Sequence, residues 1–115
     1  MGSRERALTC QSCAMDSSVL DQLWDTVVSR RNDRPDNSYV VSLLDGGAGE
    51  KVIEEAAELV EAAAGADRDH VVHEAADLLF HAVVLLATTE AELGDVYAEL
   101  ERRFGTSGLE EKAQR

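Results

Sequence analysis

The fold of this 115-residue chain is decided by residues 67–88, which read DRDHVVHEAADLLFHAVVLLAT. At a rotation of about 100° per residue, the apolar side chains of this stretch cover nearly the whole circumference of a helix. A helix that is apolar on almost every side must be buried, either at the centre of a bundle or at a subunit interface. We therefore expect a helix from about Asp67 to Thr88 around which the other helices pack.

Four further segments have apolar residues at helical spacing, and no sustained strand alternation competes with them. The first segment begins at Ser18 and ends before the basic run at Arg30. The second and third cover 38–44 and 50–64, and the fourth runs from 93 to Gly105. Ser17 or Ser18 is the expected N-cap of the first helix, and Gly65 is the expected end of the helix over 50–64. Because so short a chain cannot cover an entirely apolar helix, we expect an all-α bundle of four to five helices, with a central apolar helix, completed by dimerisation.

Charge and composition restrict the classes of partner. Aspartate and glutamate total 23 against 11 lysines and arginines, which gives a formal net charge of -12. So acidic a chain is not expected to bind nucleic acid through its phosphates without regard to sequence. No apolar run approaches the roughly 18 to 20 residues of a membrane span, and the N-terminus lacks the apolar core of a signal peptide. We therefore expect a cytoplasmic protein that binds neither nucleic acid nor membranes.

The N-terminal residues have no apolar periodicity. Their Cys10 and Cys13 form one C-x-x-C pair, which is at most half a zinc site without a second pair or nearby histidines. We predict that residues 1–16 form a disordered extension with reduced cysteines, and that residues 17–115 form one all-α domain.

Two groups of carboxylates interrupt the helical pattern. Glu74 and Asp77 lie three residues apart inside the apolar stretch, and unpaired buried carboxylates cost several kcal/mol. On the preceding helix, Glu54, Glu55 and Glu58 project from one flank. An antiparallel hairpin would bring the two groups together, where their charges repel unless they are neutralised. Mg²⁺ fits this requirement, because it binds oxygen ligands and is commonly shared between carboxylates and phosphates.

Each of these features has a simpler interpretation. The acidic flank of residues 50–61 is by itself typical of a solvated helix face. Asp77 could instead be satisfied by His73, by His81 or by an arginine on another helix. These two histidines and His70 are expected as polar partners or surface groups rather than as metal ligands.

The glycine-rich segment GGAGEK, residues 46–51, invites comparison with a phosphate-binding P-loop. It fails that pattern, because no serine or threonine follows the lysine and no strand precedes the segment. We expect an interhelical loop, with the alternative that Lys51 and helix N-terminal amides hold an anion. The other candidate phosphate contacts, with surface charge balancing as their alternative, are Arg30, Arg31 and Arg34.

Taken together, the motifs resemble those of a known family. The signature is E-E-x-x-E at Glu54 to Glu58, followed by E-x-x-D at Glu74 to Asp77. The supporting segments are RPDNSY at 34–39 with Leu43 and Leu44, EAADLLFH at 74–81, residues 93–103 and GTSGLEEKA at 105–113. These motifs, which span residues 18–115, resemble the all-α nucleoside triphosphate pyrophosphatases of the MazG type and, within them, the phosphoribosyl-ATP pyrophosphatase family. Ile53 departs from the pattern, which has a small residue before the paired glutamates.

The resemblance implies hydrolysis of 1-(5-phosphoribosyl)-ATP to 1-(5-phosphoribosyl)-AMP and pyrophosphate, the second step of histidine biosynthesis. It implies Mg²⁺-assisted attack of water between the α and β phosphates. The expected Mg²⁺ ligands are Glu55, Glu58, Glu74 and Asp77. The expected catalytic residues are Glu55 and Glu54, the latter in the outer shell or as general base. Lys51 and Arg34 are expected to contact phosphates, and Ser38 and Tyr39 to shape the nucleotide pocket.

Two other functions stay open at this point. One is a related pyrophosphatase of noncanonical nucleoside triphosphates, which would share the metal-binding helices but not the SGLEEKA segment at 107–113. The other is a non-enzymatic helical dimerisation module whose acidic face is only solvated. The partners expected for the enzyme are its nucleotide substrate, a second copy of the chain in a homodimer, and a cyclohydrolase of the same pathway. At this length we do not expect the cyclohydrolase to be fused within the same chain.

Overall fold

A computed structural model describes the backbone of residues 11–104 and the side chains of residues 19–104. Within these residues it contains five helices and no strand, which confirms the all-α fold. The helices are α1 (Gln11–Asp33), α2 (Tyr39–Asp45), α3 (Ala48–Ala64), α4 (Arg68–Ala87) and α5 (Leu93–Phe104). The predictions for Cys10, for the side chain of Cys13 and for the segment 105–113 lie outside the described residues.

The first helix is longer than the sequence analysis predicts. It begins at Gln11, so residues 11–16 of the expected extension are helical and the expected N-cap at Ser17 or Ser18 is wrong. It also continues through the basic run to Asp33. The physical reason is that the chain has neither glycine nor proline between residues 11 and 33, so nothing in the backbone breaks the helix. The division into an extension and one domain stays a prediction.

The central position of α4 is confirmed, because this helix packs against α1, α2 and α3. Its most extensive partner is α3, the neighbouring helix of an antiparallel hairpin. The buried apolar side chains that form the core between α1, α2, α3 and α4 are Val27, Val40, Leu43, Ala48, Val83, Val84 and Ala87. By length and composition alone α4 could cross a membrane. We interpret it as the core helix of the bundle, because it contacts three other helices and carries Glu74 and Asp77.

Short connections fix the register of the helices. Ser38 caps α2 by accepting a hydrogen bond from the backbone N–H of Val41, at 3.2 Å. Gly47, with φ of 96°, precedes α3 in a left-handed conformation that favours glycine. After Gly65 the chain turns, and the carboxylate of Asp67 caps α4 by accepting from the N–H of Asp69 at 3.0 Å. The short turn between α3 and α4 makes their facing sides pack against each other.

Arg31 joins the ends of α1 and α4. Its Nη1 donates a hydrogen bond of 2.8 Å to the backbone carbonyl of Ala87, the last residue of α4. A cation at a helix C-terminus satisfies one of its free carbonyls and interacts favourably with the helix dipole. Arg31 is therefore engaged in the fold, whereas the sequence analysis considered it as a phosphate contact.

One side of α4 is not covered by the described residues. Leu79 is 53% exposed, and Val72, two turns earlier, is exposed to the same extent. Between α4, α5 and α1 lies an apolar cavity of about 280 Å³. Its lining consists of Leu20, Leu79, Ala82, Val83, Leu86, Leu93, Val96, Tyr97 and Leu100. The hydroxyl of Tyr97 donates a hydrogen bond of 2.9 Å to Asp21, which links α5 to α1.

Candidate metal and nucleotide site

The α3–α4 hairpin places Glu55 and Glu74 against each other. Both are buried, with exposures of 8% and 7%, and their carboxyl groups are close enough to share a hydrogen bond when one of them is protonated. Burial raises the pKa of Glu74, and the neighbouring Glu55 and Glu58 raise it further. Since two ionised carboxylates cannot donate to each other, this contact needs a shared proton. A cation between the two groups would remove that need.

The carboxylate of Asp77 lies one turn further along α4 and is partly exposed. Its Oδ2 is 3.2 Å from Nε2 of His73, so His73 satisfies it as the simpler interpretation allowed. Ligand atoms of His73, Glu74 and Asp77 lie within 4.8 Å of one another. His70 contacts Glu74 in the same way, at 3.3 Å. Each predicted metal ligand on α4 therefore has a histidine one turn before it.

Lys51 lies at the start of α3 among the carboxylates of that helix. Its Nζ is 2.8 Å from Oε1 of Glu54 and 3.3 Å from Oε2 of Glu55. These hydrogen bonds raise the pKa of Lys51, and the contact with Lys51 lowers the pKa of the exposed Glu54. Lys51 is thus positioned within the site with two carboxylates as its partners, and its expected contact with a phosphate stays a prediction.

Arg34 and Ser38 lie in a separate cavity beside α2. Arg34 forms an ion pair of 2.5 Å with Asp45, and the hydroxyl of Ser38 is engaged as the α2 cap. The cavity has a volume of about 410 Å³, and its lining consists of Arg34, Pro35, Asp36, Asn37, Ser38, Val41, Ser42 and Asp45. Arg34 and Asn37 both have positive φ angles, 48° and 61°, which are strained for residues other than glycine.

Tyr39 instead contacts α4. Its hydroxyl is 2.9 Å from Nε2 of His81, and the ring of Phe80 is parallel to its own at a centroid separation of 6.2 Å. The sequence analysis expected His81 as a polar partner, which is confirmed, but did not identify Tyr39 as the group it bonds. These two residues are 42 positions apart, and helical periodicity carries no information about such a pair.

The donors around Glu74 fit a hard divalent cation. They are carboxylate oxygens from both helices, two of them buried, and the buried pair needs a proton or a positive charge between its members. Oxygen-rich sites of this kind suit Mg²⁺ better than zinc, which prefers nitrogen and sulfur ligands. The structure thus brings Glu55, Glu58 and Asp77 around Glu74. Glu54 lies beside this group and is paired with Lys51.

Comparisons with known proteins agree with the resemblance. A family model described as phosphoribosyl-ATP pyrophosphohydrolase matches residues 20–104. A phosphoribosyl-ATP pyrophosphatase of Rhodopirellula baltica is 51% identical over 102 residues, covering 84% of this chain and 85% of the relative. Those of Trichlorobacter lovleyi and Rhizorhabdus wittichii are 46% and 51% identical over 84% and 86% of this chain, and these matches cover 93% and 96% of the relatives. The matched range contains both carboxylate groups.

The raised pKa of Glu74 predicts how the metal-free protein responds to pH. A carboxyl group whose pKa is raised by folding stabilises the folded protein when it is protonated. This contribution is complete below the ordinary pKa of 4.5 and is lost as the pH rises through the folded-state pKa. Glu74→Gln keeps the hydrogen bond without the charge. We expect its melting temperature, measured in a chelator, to exceed that of the wild type at pH 8. The gap should close as the pH falls to 4.5.

Glu90→Gln is the matched control, because Glu90 is an exposed carboxylate in the loop beyond the other end of α4. Its melting temperature should follow that of the wild type at every pH. A difference between Glu74→Gln and the wild type that is constant from pH 4.5 to pH 8 would contradict the expected titration.

Proposed function

The chain belongs to the phosphoribosyl-ATP pyrophosphohydrolase family, and from this premise we propose that it hydrolyses 1-(5-phosphoribosyl)-ATP to 1-(5-phosphoribosyl)-AMP and pyrophosphate. The reaction is the second step of histidine biosynthesis. The observation that carries the proposal is the match over residues 20–104, which contain all the carboxylates of the site. A cytoplasmic location and a cyclohydrolase that consumes the product are parts of the same proposal.

We propose that Glu55, Glu58, Glu74 and Asp77 hold Mg²⁺. Their support is the buried contact between Glu55 and Glu74, which leaves a charge to be neutralised in a strongly acidic protein. Bound Mg²⁺ supplies the positive charge that allows a polyphosphate to approach carboxylates and that stabilises the charge on the leaving pyrophosphate.

The side chains of the chain itself have three tasks in this proposal. Glu54 is exposed beside Glu55, where it can orient the attacking water and accept its proton, although the contact with Lys51 lowers its pKa and makes it a weaker base. Lys51 holds Glu54 and Glu55 in position from the first turns of α3. Arg34, at the cavity beside α2, exchanges Asp45 for a phosphate oxygen when substrate binds.

A substrate panel tests the proposed reaction. We expect pyrophosphate release from phosphoribosyl-ATP with Mg²⁺ and almost none in a chelator, while ordinary nucleoside triphosphates react at least about a hundredfold more slowly at the level of kcat/KM. Equal or greater activity on noncanonical nucleoside triphosphates would favour a house-cleaning pyrophosphatase. Complete inactivity with a folded protein and Mg²⁺ would favour a non-enzymatic dimerisation module.

Replacement of Asp77 tests the metal site. Asp77→Asn keeps the shape and removes the charge, so we expect kcat to fall by about a hundredfold or more and the Mg²⁺-dependent rise in melting temperature to disappear. The metal-free variant should be about as stable as the wild type, because Asp77 is partly exposed and the amide oxygen of asparagine can still accept a hydrogen bond from His73. Glu90→Gln should retain both properties. A variant of Asp77 that loses stability but keeps its turnover and its response to Mg²⁺ would make Asp77 a purely structural residue.

We also propose a homodimer built on the uncovered side of α4. Its support is the exposure of Leu79 and Val72 and the apolar cavity that adjoins them, since small domains gain burial by association. Sedimentation equilibrium at low micromolar concentration should give twice the chain mass for the wild type. Leu79→Glu should shift the protein towards a folded monomer. A stable wild-type monomer under these conditions would exclude the dimer.

A further inference from the structure

His81 is a buried residue of α4 whose two ring nitrogens are both engaged. Its exposure is 5%, its Nδ1 lies 2.7 Å from the backbone carbonyl oxygen of Asp77, and its Nε2 lies 2.9 Å from the hydroxyl of Tyr39. A carbonyl oxygen can only accept, so Nδ1 carries the proton. In the neutral ring Nε2 is then an acceptor, and the hydroxyl of Tyr39 donates to it.

This pair of hydrogen bonds attaches Tyr39 to the helix that carries the carboxylates. His81 follows Asp77 by one turn, which is about 6 Å along the axis and about 40° around it. Tyr39 is therefore held one helical turn from the site at which the polyphosphate is proposed to bind.

The aromatic ring of Tyr39 stays accessible in this arrangement. Tyr39 is 53% exposed, although its hydroxyl is bonded, and its ring lies parallel to Phe80 and edge-on to His81. The preceding loop contains the strained Arg34 and Asn37 and ends directly at Tyr39, the first residue of α2. The contacts with α4 thus determine the orientation of the ring.

We propose that His81 is a positioning residue for substrate binding: it holds the ring of Tyr39 beside the α3–α4 carboxylates, where the exposed ring stacks on the adenine base of the nucleotide. The inference rests on the proposed function and deepens it. Cleavage between the α and β phosphates requires the α phosphate to lie at the carboxylates, so the nucleoside attached to it lies close by. Aromatic stacking is a common way to bind a base. Tyr39 contributes its ring, since its hydroxyl is used by His81.

Four variants separate the ring from the hydrogen bond that holds it. Tyr39→Leu removes the ring, and we expect the KM for phosphoribosyl-ATP to rise about tenfold. Tyr39→Phe removes only the hydroxyl group, whereas His81→Gln removes the imidazole with both of its hydrogen bonds and its edge-on contact with Tyr39. We expect each to raise KM by about three- to fivefold. The double variant, Tyr39→Phe with His81→Gln, should have a KM no higher than that of the poorer single variant, because both changes break the same hydrogen bond. In all four, kcat should stay within about twofold of the wild type.

Tyr97→Phe is the matched control. It removes a tyrosine hydrogen bond of the same 2.9 Å length, to Asp21, between α5 and α1. Any loss of melting temperature in Tyr97→Phe should leave KM unchanged, whereas Tyr39→Phe should change KM at a similar melting temperature. Adenosine has the same base but no phosphate for the carboxylates to repel. Its dissociation constant, measured by calorimetry in a chelator, should rise in the same order as KM, which makes the readout independent of the metal.

An active wild type with unchanged KM in Tyr39→Phe and His81→Gln would overturn this inference alone. A fall in kcat at constant KM would also overturn it, because the pair would then act in the chemical step. Multiplying effects in the double variant would show that the two residues act separately. A wild type that does not hydrolyse phosphoribosyl-ATP would overturn the proposed function, and the inference with it. If His81→Gln fails to fold, the comparison of Tyr39→Phe with Tyr97→Phe decides the matter.

Discussion

The contact between two buried carboxyl groups, Glu55 and Glu74, is the constraint on which the rest of the structure depends. It exists because a short turn pairs α3 with the central helix α4, its most extensive packing partner. Burying two such groups is unfavourable unless a proton or a cation lies between them. The metal-free protein therefore keeps the hairpin at the expense of a raised pKa at Glu74, and a bound cation would stabilise the same packing by another route.

Basic groups around this contact moderate the local charge without occupying it. His70 and His73 each lie one turn before a carboxylate of α4, and Lys51 lies one turn before those of α3. Each contacts a carboxylate oxygen of the cluster, and all three are more exposed than Glu55 and Glu74. Lys51 therefore places a positive charge beside the carboxylates of α3, and the two histidines place ring nitrogens beside those of α4.

Local patterns in the sequence predict the helices and the carboxylate cluster, because both depend on residues three to four apart and on one short turn. The start of α1 was predicted wrongly, since an amphipathic pattern shows where a helix is buried and not where an unbroken helix begins. The partners of Arg31 and Tyr39 were not predicted, because Ala87 and His81 are 56 and 42 positions away. Such contacts depend on how whole helices pack.

Different sides of α4 have different surroundings, which the sequence alone does not reveal. Glu74 and Asp77 face α3, whereas Leu79 lies about 200° around the helix from Asp77 and is exposed. The carboxylate site and the uncovered apolar stripe are therefore on opposite sides of one helix. A second copy that docks on the stripe would leave the carboxylates open to a nucleotide, while it covers the part of α4 that the described residues leave exposed. In the proposed dimer, the precision of the metal site thus comes from burying α4 on every side, with no part of the site carried by a loop.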